Sequence, residues 1–273
     1  MIKIKKDLEN IPPSLVSNTA KLSKQEQKKT KTTSKRRMEI IRSRNYIDKQ
    51  LYNDRYKTKD IRTALMKIYH NKCAYCESNE ELLHIEHYRP KKPYYYWLAY
   101  SWDNLLVACH FCNINKNNIF HIENSFRASF KPSIKNILSI NTLSFLYDKF
   151  ENPKTINVEN FDPYPYLEYF NNGKIRSNHP RVRHTINICD LNRVKLKDKR
   201  RRIIDDFRKE VIIAHREKDK VKRQAKLEQV IESFFSKTEE PERSFLALRR
   251  YLIDKKIIYK IIKSVRDEYT VKE

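Results

Sequence analysis

The stretch that decides the fold is CAYCESNEELLHIEHYRPKKPYYYWLAYSWDNLLVACHFCNINK, Cys73 to Lys116. It opens on one C-x2-C pair, Cys73 and Cys76, and nearly closes on a second, Cys109 and Cys112. Each pair can supply two corners of a tetrahedral zinc site, which makes residues 77–108 a clamped loop. Inside the loop, Leu82 to His87 reads as a strand entering a hairpin, and Asn104 lies on the return path. Asn113 follows Cys112 and falls in the first turn of a helix running through Lys116. Neighbouring strand residues point to opposite faces. Glu86 and His87 can therefore serve one site only where the strand twists at its end.

These residue types suit phosphodiester hydrolysis. That chemistry needs a base for water, a metal to neutralise charge on phosphate and leaving oxygen, and a group that fixes the base. His87 fits the base. Glu86 and Asn113 offer oxygen ligands, which favour Mg²⁺ or Mn²⁺ at a second metal site. Asn104 orients the loop or His87 itself. Arg89, Lys91, Lys92 and Lys116 flank these residues and are candidates for phosphate contact. Of the ring residues 94–97 and Trp102, most are expected in the core of so small a zinc module. His110 lies between thiolates that already number four, so it is not expected to ligate zinc. His84 shares a strand face with Glu86 and is a candidate neighbour of the site. Cys189 stands alone and reads as a buried apolar residue.

The remaining sequence frames this segment. The chain has 273 residues, with 58 Lys and Arg against 34 Asp and Glu, a net charge of +24. A field of that sign attracts polyanions, nucleic acid first. No apolar run reaches membrane-span length and no signal peptide is apparent, so a reducing cytosol is expected, with paired cysteines on metal rather than in disulfides. Residues 1–60 are basic, and Lys21–Arg37 reads as a solvated linker or a phosphate-touching arm. Ile61, Leu65 and Ile68 mark a short amphipathic helix leading to Cys73. Phe161–Ile175 reads as a loop, a short strand and a turn at Asn172-Gly173. From Leu191 the pattern is helical. Ile204, Phe207, Val211 and Ala214 form one apolar stripe, and Leu227, Val230, Ile231 and Phe234 another. Glu240-Pro241 separates these from one or two further helices. The expected class is α+β, mainly helical. A basic N-terminal arm with helices (1–60) precedes the zinc-stapled ββα-metal module (61–125). A mixed connecting segment (126–190) and a helical C-terminal region (191–273) follow it.

Glu86-His87, Asn104 and Asn113, bracketed by the cysteine pairs, resemble the HNH (ββα-metal) nuclease motif. More of the chain, including IEHYRPKK, FDPYPYLEYFNNGKI, TINICDLNR and the opening MIKIKKDLENIPPSL, is similar to the PtuB-like HNH nucleases of Septu-type antiphage systems. Some of those systems are retron-associated. The resemblance implies a DNA-cutting nuclease controlled by a PtuA-like ATPase, with a retron reverse transcriptase and its msDNA as further partners where a retron is present. It puts the base on His87, the metal ligands on Glu86 and Asn113, the supporting asparagine on Asn104 and zinc on the four cysteines. Glu86 replaces the commoner Asp and Asn113 the commoner final His; both keep an oxygen donor. Two other readings compete: a catalytically inactive zinc-stabilised nucleic-acid-binding or scaffold subunit, and an RNA-directed nuclease.

Overall fold

The computed structural model describes residues 1–16, 22–79, 82–129 and 139–270. Lys21, residues 130–138 of the connecting segment and residues 271–273 lie outside the described residues.

The described residues of the basic segment 1–60 pack against the rest of the chain rather than extending from it as a loose arm. Met1 and Leu15 are buried, and the Ile4 amide donates to the Val158 carbonyl at 2.9 Å. Lys6 is fully enclosed. Its ammonium pairs with Glu159 at 2.7 Å, donates to the Leu105 carbonyl at 2.6 Å and lies over the Trp102 ring. A buried lysine persists only when its charge is met in this way.

The expected linker is the long helix α1, Lys24–Ser43. Ser23 and Glu26 form a reciprocal capping box at its start, and Arg44 ends it in a left-handed conformation. Its inward residues Thr30, Thr33, Arg37, Ile40 and Ile41 recur every three or four positions. The face is therefore amphipathic in spacing but mostly polar in composition. Threonine hydroxyls return to backbone carbonyls one turn back, and Arg37 donates to the Tyr100 carbonyl at 2.9 Å.

A short helix α2, Gln50–Asn53, precedes α3, Lys59–Ile68. Ile61 and Leu65 of α3 are wholly buried, as their i, i+4 spacing requires. Then comes the hairpin: β1, Leu83–His87, pairs antiparallel with β2, Leu105–Cys109, in the register Glu86↔Leu106 and His87↔Leu105. Leu82 lies just outside the strand and is exposed. All five residues of β2 are buried because both faces of the hairpin are covered, so the strand is continuously apolar rather than alternating. Each fully buried Leu or Val there contributes roughly 1.5–3 kcal/mol. Helix α4, His110–Lys116, packs back across the hairpin and completes a ββα unit. Tyr95, Trp97 and Trp102 are core, Tyr96 is half-buried, and Tyr94 is exposed.

Helix α5, Leu143–Glu151, braces the loop between the strands. A second small hairpin follows, β3 (Glu168–Tyr169) with β4 (Ile175–Arg176). Its turn needs Gly173: φ is +76°, and a Cβ there would sit 2.0 Å from the Lys197 carbonyl oxygen. The rest is helical: α6 (Pro180–Ile188), α7 (Val194–His215), α8 (Lys220–Glu239), α9 (Leu246–Asp254) and α10 (Ile257–Thr270). The α7 stripe is buried as expected. Of the α8 stripe, Phe234 is buried, packed edge-on against Phe207, while Leu227, Val230 and Ile231 are half-covered. No described helix is long and apolar enough to cross a membrane.

Candidate metal centre and catalytic cavity

The two C-x2-C pairs meet. The ligand atoms of Cys73, Cys76, Cys109 and Cys112 all lie within 4.8 Å of one another, and all four residues are buried. Cys76 Sγ and Cys109 Sγ are 3.7 Å apart. Zinc–sulfur bonds of about 2.3 Å in a tetrahedron put sulfurs ~3.8 Å apart, so the thiol cluster is of the size zinc needs. Neither His110 nor any other described His, Asp or Glu joins the cluster. Cys189 is buried nearby and is not part of it. Arg193, at the N-cap of α7, aims its guanidinium at the cage, with Nη1 3.6 Å from Cys112 Sγ and Nη2 3.6 Å from Cys109 Sγ. Glu77, directly after Cys76, ties the knuckle to α9. Its carbonyl accepts from the Phe245 amide at 3.3 Å and its carboxylate from the Ala247 amide at 3.1 Å.

The cage fixes where β2 ends and α4 begins, and so aims the rest of the site. Glu86, His87 and Asn113 line one cavity of about 200 Å³, together with Tyr56, Lys57, Arg62, His84, Ile85 and Lys91. The adjacency problem at Glu86-His87 is solved at the strand's last two residues, where both side chains reach the same space. His84, on the Glu86 face of the strand, also lines it, 5.7 Å ring to ring from His110.

His87 is 5% exposed. Its Nε2 lies 3.0 Å from the Ala99 carbonyl, which can only accept, so Nε2 carries the proton and Nδ1 the lone pair. Tyr56 stands edge-on to the ring at 4.6 Å. Burial, reinforced by the Lys91 ammonium, holds the imidazole well below its ordinary pKa and keeps it neutral at neutral pH. Burial also pushes the Tyr56 phenol up to about 12.

Two expected site residues, Arg89 and Lys116, have different surroundings from those the sequence implied. Asn104 takes the first of its two expected roles: it bonds to the loop and makes no hydrogen bond to His87 among the described residues. Asn104 Oδ1 accepts from the Arg89 amide at 2.8 Å, and its Nδ2 donates to the Arg89 and Leu98 carbonyls at 3.0 and 3.2 Å. It staples the two ends of the loop that carries Ala99. Arg89 cannot reach a phosphate: it is fully buried, bound to Asp148 at 2.7 Å and Glu151 at 2.8 Å, and ringed by Tyr88, Tyr95, Phe120 and Tyr147. Lys116 is fully buried too, with its ammonium on Glu86. Lys91 lines the cavity, and Lys92 pairs with Asp48 at the surface. Tyr56, Lys57 and Arg62 escaped the sequence reading because they precede the cysteine segment; the only signal was Arg62 on the outward side of the Ile61–Leu65 stripe.

An oxygen-ligated ion fits this donor set. Glu86 and Asn113 present a carboxylate and an amide to the same cavity, and Mg²⁺ or Mn²⁺ commonly binds through one or two such groups with water completing the shell.

Comparison with known proteins agrees with this geometry. Residues 73–119 match the family model described as HNH endonuclease. The Septu protein PtuB of Bacillus mycoides (strain KBAB4) is 31% identical over 170 residues, covering 56% of this chain and 53% of that protein. The Septu protein PtuB of Bacillus thuringiensis is 38% identical over 60 residues, 20% of this chain and 23% of that protein. The chain thus spans about half the length of the first of these relatives and less of the second. No solved structure matches. The thiol-pinned hairpin and helix thus coincide with the segment that matches the HNH endonuclease model, in a chain similar to the Septu protein PtuB over about half of its length.

Proposed function

We propose that this chain is a metal-dependent endonuclease that hydrolyses DNA phosphodiester bonds as the nuclease of a Septu-type antiphage complex. The observation that carries the reading is the convergence of His87, Glu86 and Asn113 on one cavity beside the four-thiol cage. An inactive zinc scaffold would have no use for that constellation. In this reading His87 accepts a proton from water through Nδ1. The hydroxide attacks phosphorus in line, and the bond to the 3′ oxygen breaks, leaving a 5′ phosphate. Ala99 fixes the tautomer, and Asn104 holds the loop that presents Ala99. Glu86 and Asn113 hold the Mg²⁺ or Mn²⁺ ion, which when bound neutralises charge on the phosphate and the departing oxygen. Zinc in the thiol cage is structural.

The partner in this reading is a PtuA-like ATPase that licenses cleavage in the cytoplasm, and a neighbouring reverse-transcriptase gene would mark the retron-associated form. The test is nicking of supercoiled plasmid with Mg²⁺ or Mn²⁺, by the full chain alone and with its co-expressed ATPase. His87→Ala should lose cleavage while keeping its zinc and a cooperative unfolding transition. Full activity of that variant in the complex would remove His87 from the chemistry. Parallel RNA and DNA substrates decide which polymer is cut.

A further inference from the structure

We propose that Lys57 and Arg62, which precede the HNH segment, grip backbone phosphates at the rim of the catalytic cavity that Lys91 also lines. The proposal rests on the nuclease reading above and names where its polynucleotide is held.

The cavity wall carries three basic side chains, Lys57, Arg62 and Lys91, against one carboxylate, Glu86. That carboxylate already takes the Lys116 ammonium at 2.6 Å. The balance at the mouth is therefore strongly positive, and a cleft with low-dielectric walls focuses such a field. The cations are held rather than loose. Lys91 Nζ lies 5.0 Å from the centroids of both Tyr46 and Tyr56 and 3.3 Å from the Tyr56 hydroxyl. Lys57 Nζ lies 5.4 Å from the Tyr56 centroid, so one buried tyrosine aligns two ammonium groups and the His87 ring.

Arg62 sits on the outer face of α3, a helix anchored by wholly buried Ile61 and Leu65, and its Nη1 donates to the Leu83 carbonyl at 3.3 Å. That bond uses one of five N–H donors and leaves the fork free for a phosphate. Both Lys57 and Arg62 are exposed, and neither meets a carboxylate among the described residues. Elsewhere on this protein surface arginines pair readily with acids, as Arg176 does with Glu168 and Arg208 with Glu268. Two cations that meet no carboxylate among the described residues, both lining the His87 cavity, offer a place for an external anion. Because phosphates carry no sequence, the grip strengthens binding to any polynucleotide alike.

The test measures binding, not cleavage. Full-length protein carrying His87→Ala binds a fluorescein-labelled DNA duplex, followed by anisotropy over a KCl series. Lys57→Ala with Arg62→Ala should weaken binding by about 10-fold at moderate salt and reduce the slope of log K against log salt by about 2. A charge-matched control, Lys59→Ala with Lys67→Ala, removes two exposed lysines of the same helix that do not line the cavity. It should change both values far less. The grip is overturned if the Lys57/Arg62 pair leaves affinity and slope unchanged, if the control falls equally, or if the His87→Ala protein binds no DNA at low salt. Thermal midpoints confirm that each variant is folded. If the wild type never cleaves yet the slope falls as stated, the nuclease reading fails and the grip stands.

Discussion

Lys116 Nζ donates to Glu86 Oε1 at 2.6 Å and to the His87 carbonyl oxygen at 2.9 Å. One buried ammonium thus spans both members of the Glu-His pair and joins the last turn of α4 to the end of β1. It leaves the other Glu86 oxygen for the cavity. Asn113, three residues earlier on the same helix, lines the same cavity. In the proposed reading the lysine holds α4 against the strand that carries Glu86 and so helps place the two oxygen donors.

Removing either partner strands a charge in the interior, which costs roughly 3–5 kcal/mol. Lys116→Met should lower the thermal midpoint, and so should Glu86→Gln. The double variant should recover part of the loss, because no unpaired charge remains. Cleavage by Lys116→Met should fall about 10²-fold, the scale set by ~1 Å misplacement of a reacting group. Its half-saturation for Mn²⁺ should also rise, which simple destabilisation would not produce. Additive midpoints in the double variant, with unchanged Mn²⁺ dependence, would refute the role given to Lys116.

The thiol cage is braced by a residue far along the chain. With Zn²⁺ bound, Arg193 would offset the excess negative charge of four thiolates, and partners just outside a metal's ligands typically govern affinity by 10–100-fold. Arg193→Gln should therefore lose zinc to a competing chelator about 10-fold more readily, read by a colorimetric zinc indicator. Cys112→Ser should bind no zinc and lose the ββα unit's circular dichroism, since ligation and folding of such modules are one event. Equal zinc retention by wild type and Arg193→Gln would show that the guanidinium is mere packing.

The cysteine segment was legible because its constraints are local and chemical. Two C-x2-C pairs, an apolar β2 and a Glu-His at a strand end admit few geometries. Helix α1 was hidden because its inward face is Thr30, Thr33 and Arg37, so the 3.6-residue period appears in burial but not in hydrophobicity. Arg89 and Lys116 were misplaced for a related reason. A long basic side chain reads as solvent-facing until its acid is known, and those acids lie 59 and 62 residues away for Arg89 and 30 for Lys116. The cationic rim was missed because it precedes the motif. The fold, not the motif, brings α3 to β1.

Asp103 predicts how stability responds to pH. Its carboxylate is buried, accepting from Ser101 Oγ at 2.6 Å and from the Phe145 amide at 3.0 Å. Burial pushes its pKa up to about 7, against about 4 in the unfolded chain. Between those values the native state keeps a proton that the unfolded state has released. Stability from this group is therefore full below about pH 4, declines as pH rises toward 7, and is flat above. The decline is on the order of 1 kcal/mol per pH unit. Buried His87, whose pKa is lowered, acts with the opposite sign, since its contribution is lost as pH falls. The informative quantity is thus the difference between wild type and Asp103→Asn, which keeps an acceptor for the Phe145 amide but cannot ionise. Relative to wild type, the variant should gain urea resistance steadily from pH 5 to 7 and no further above about 7.5. A difference that is constant across that range would mean Asp103 is ionised in the folded protein throughout.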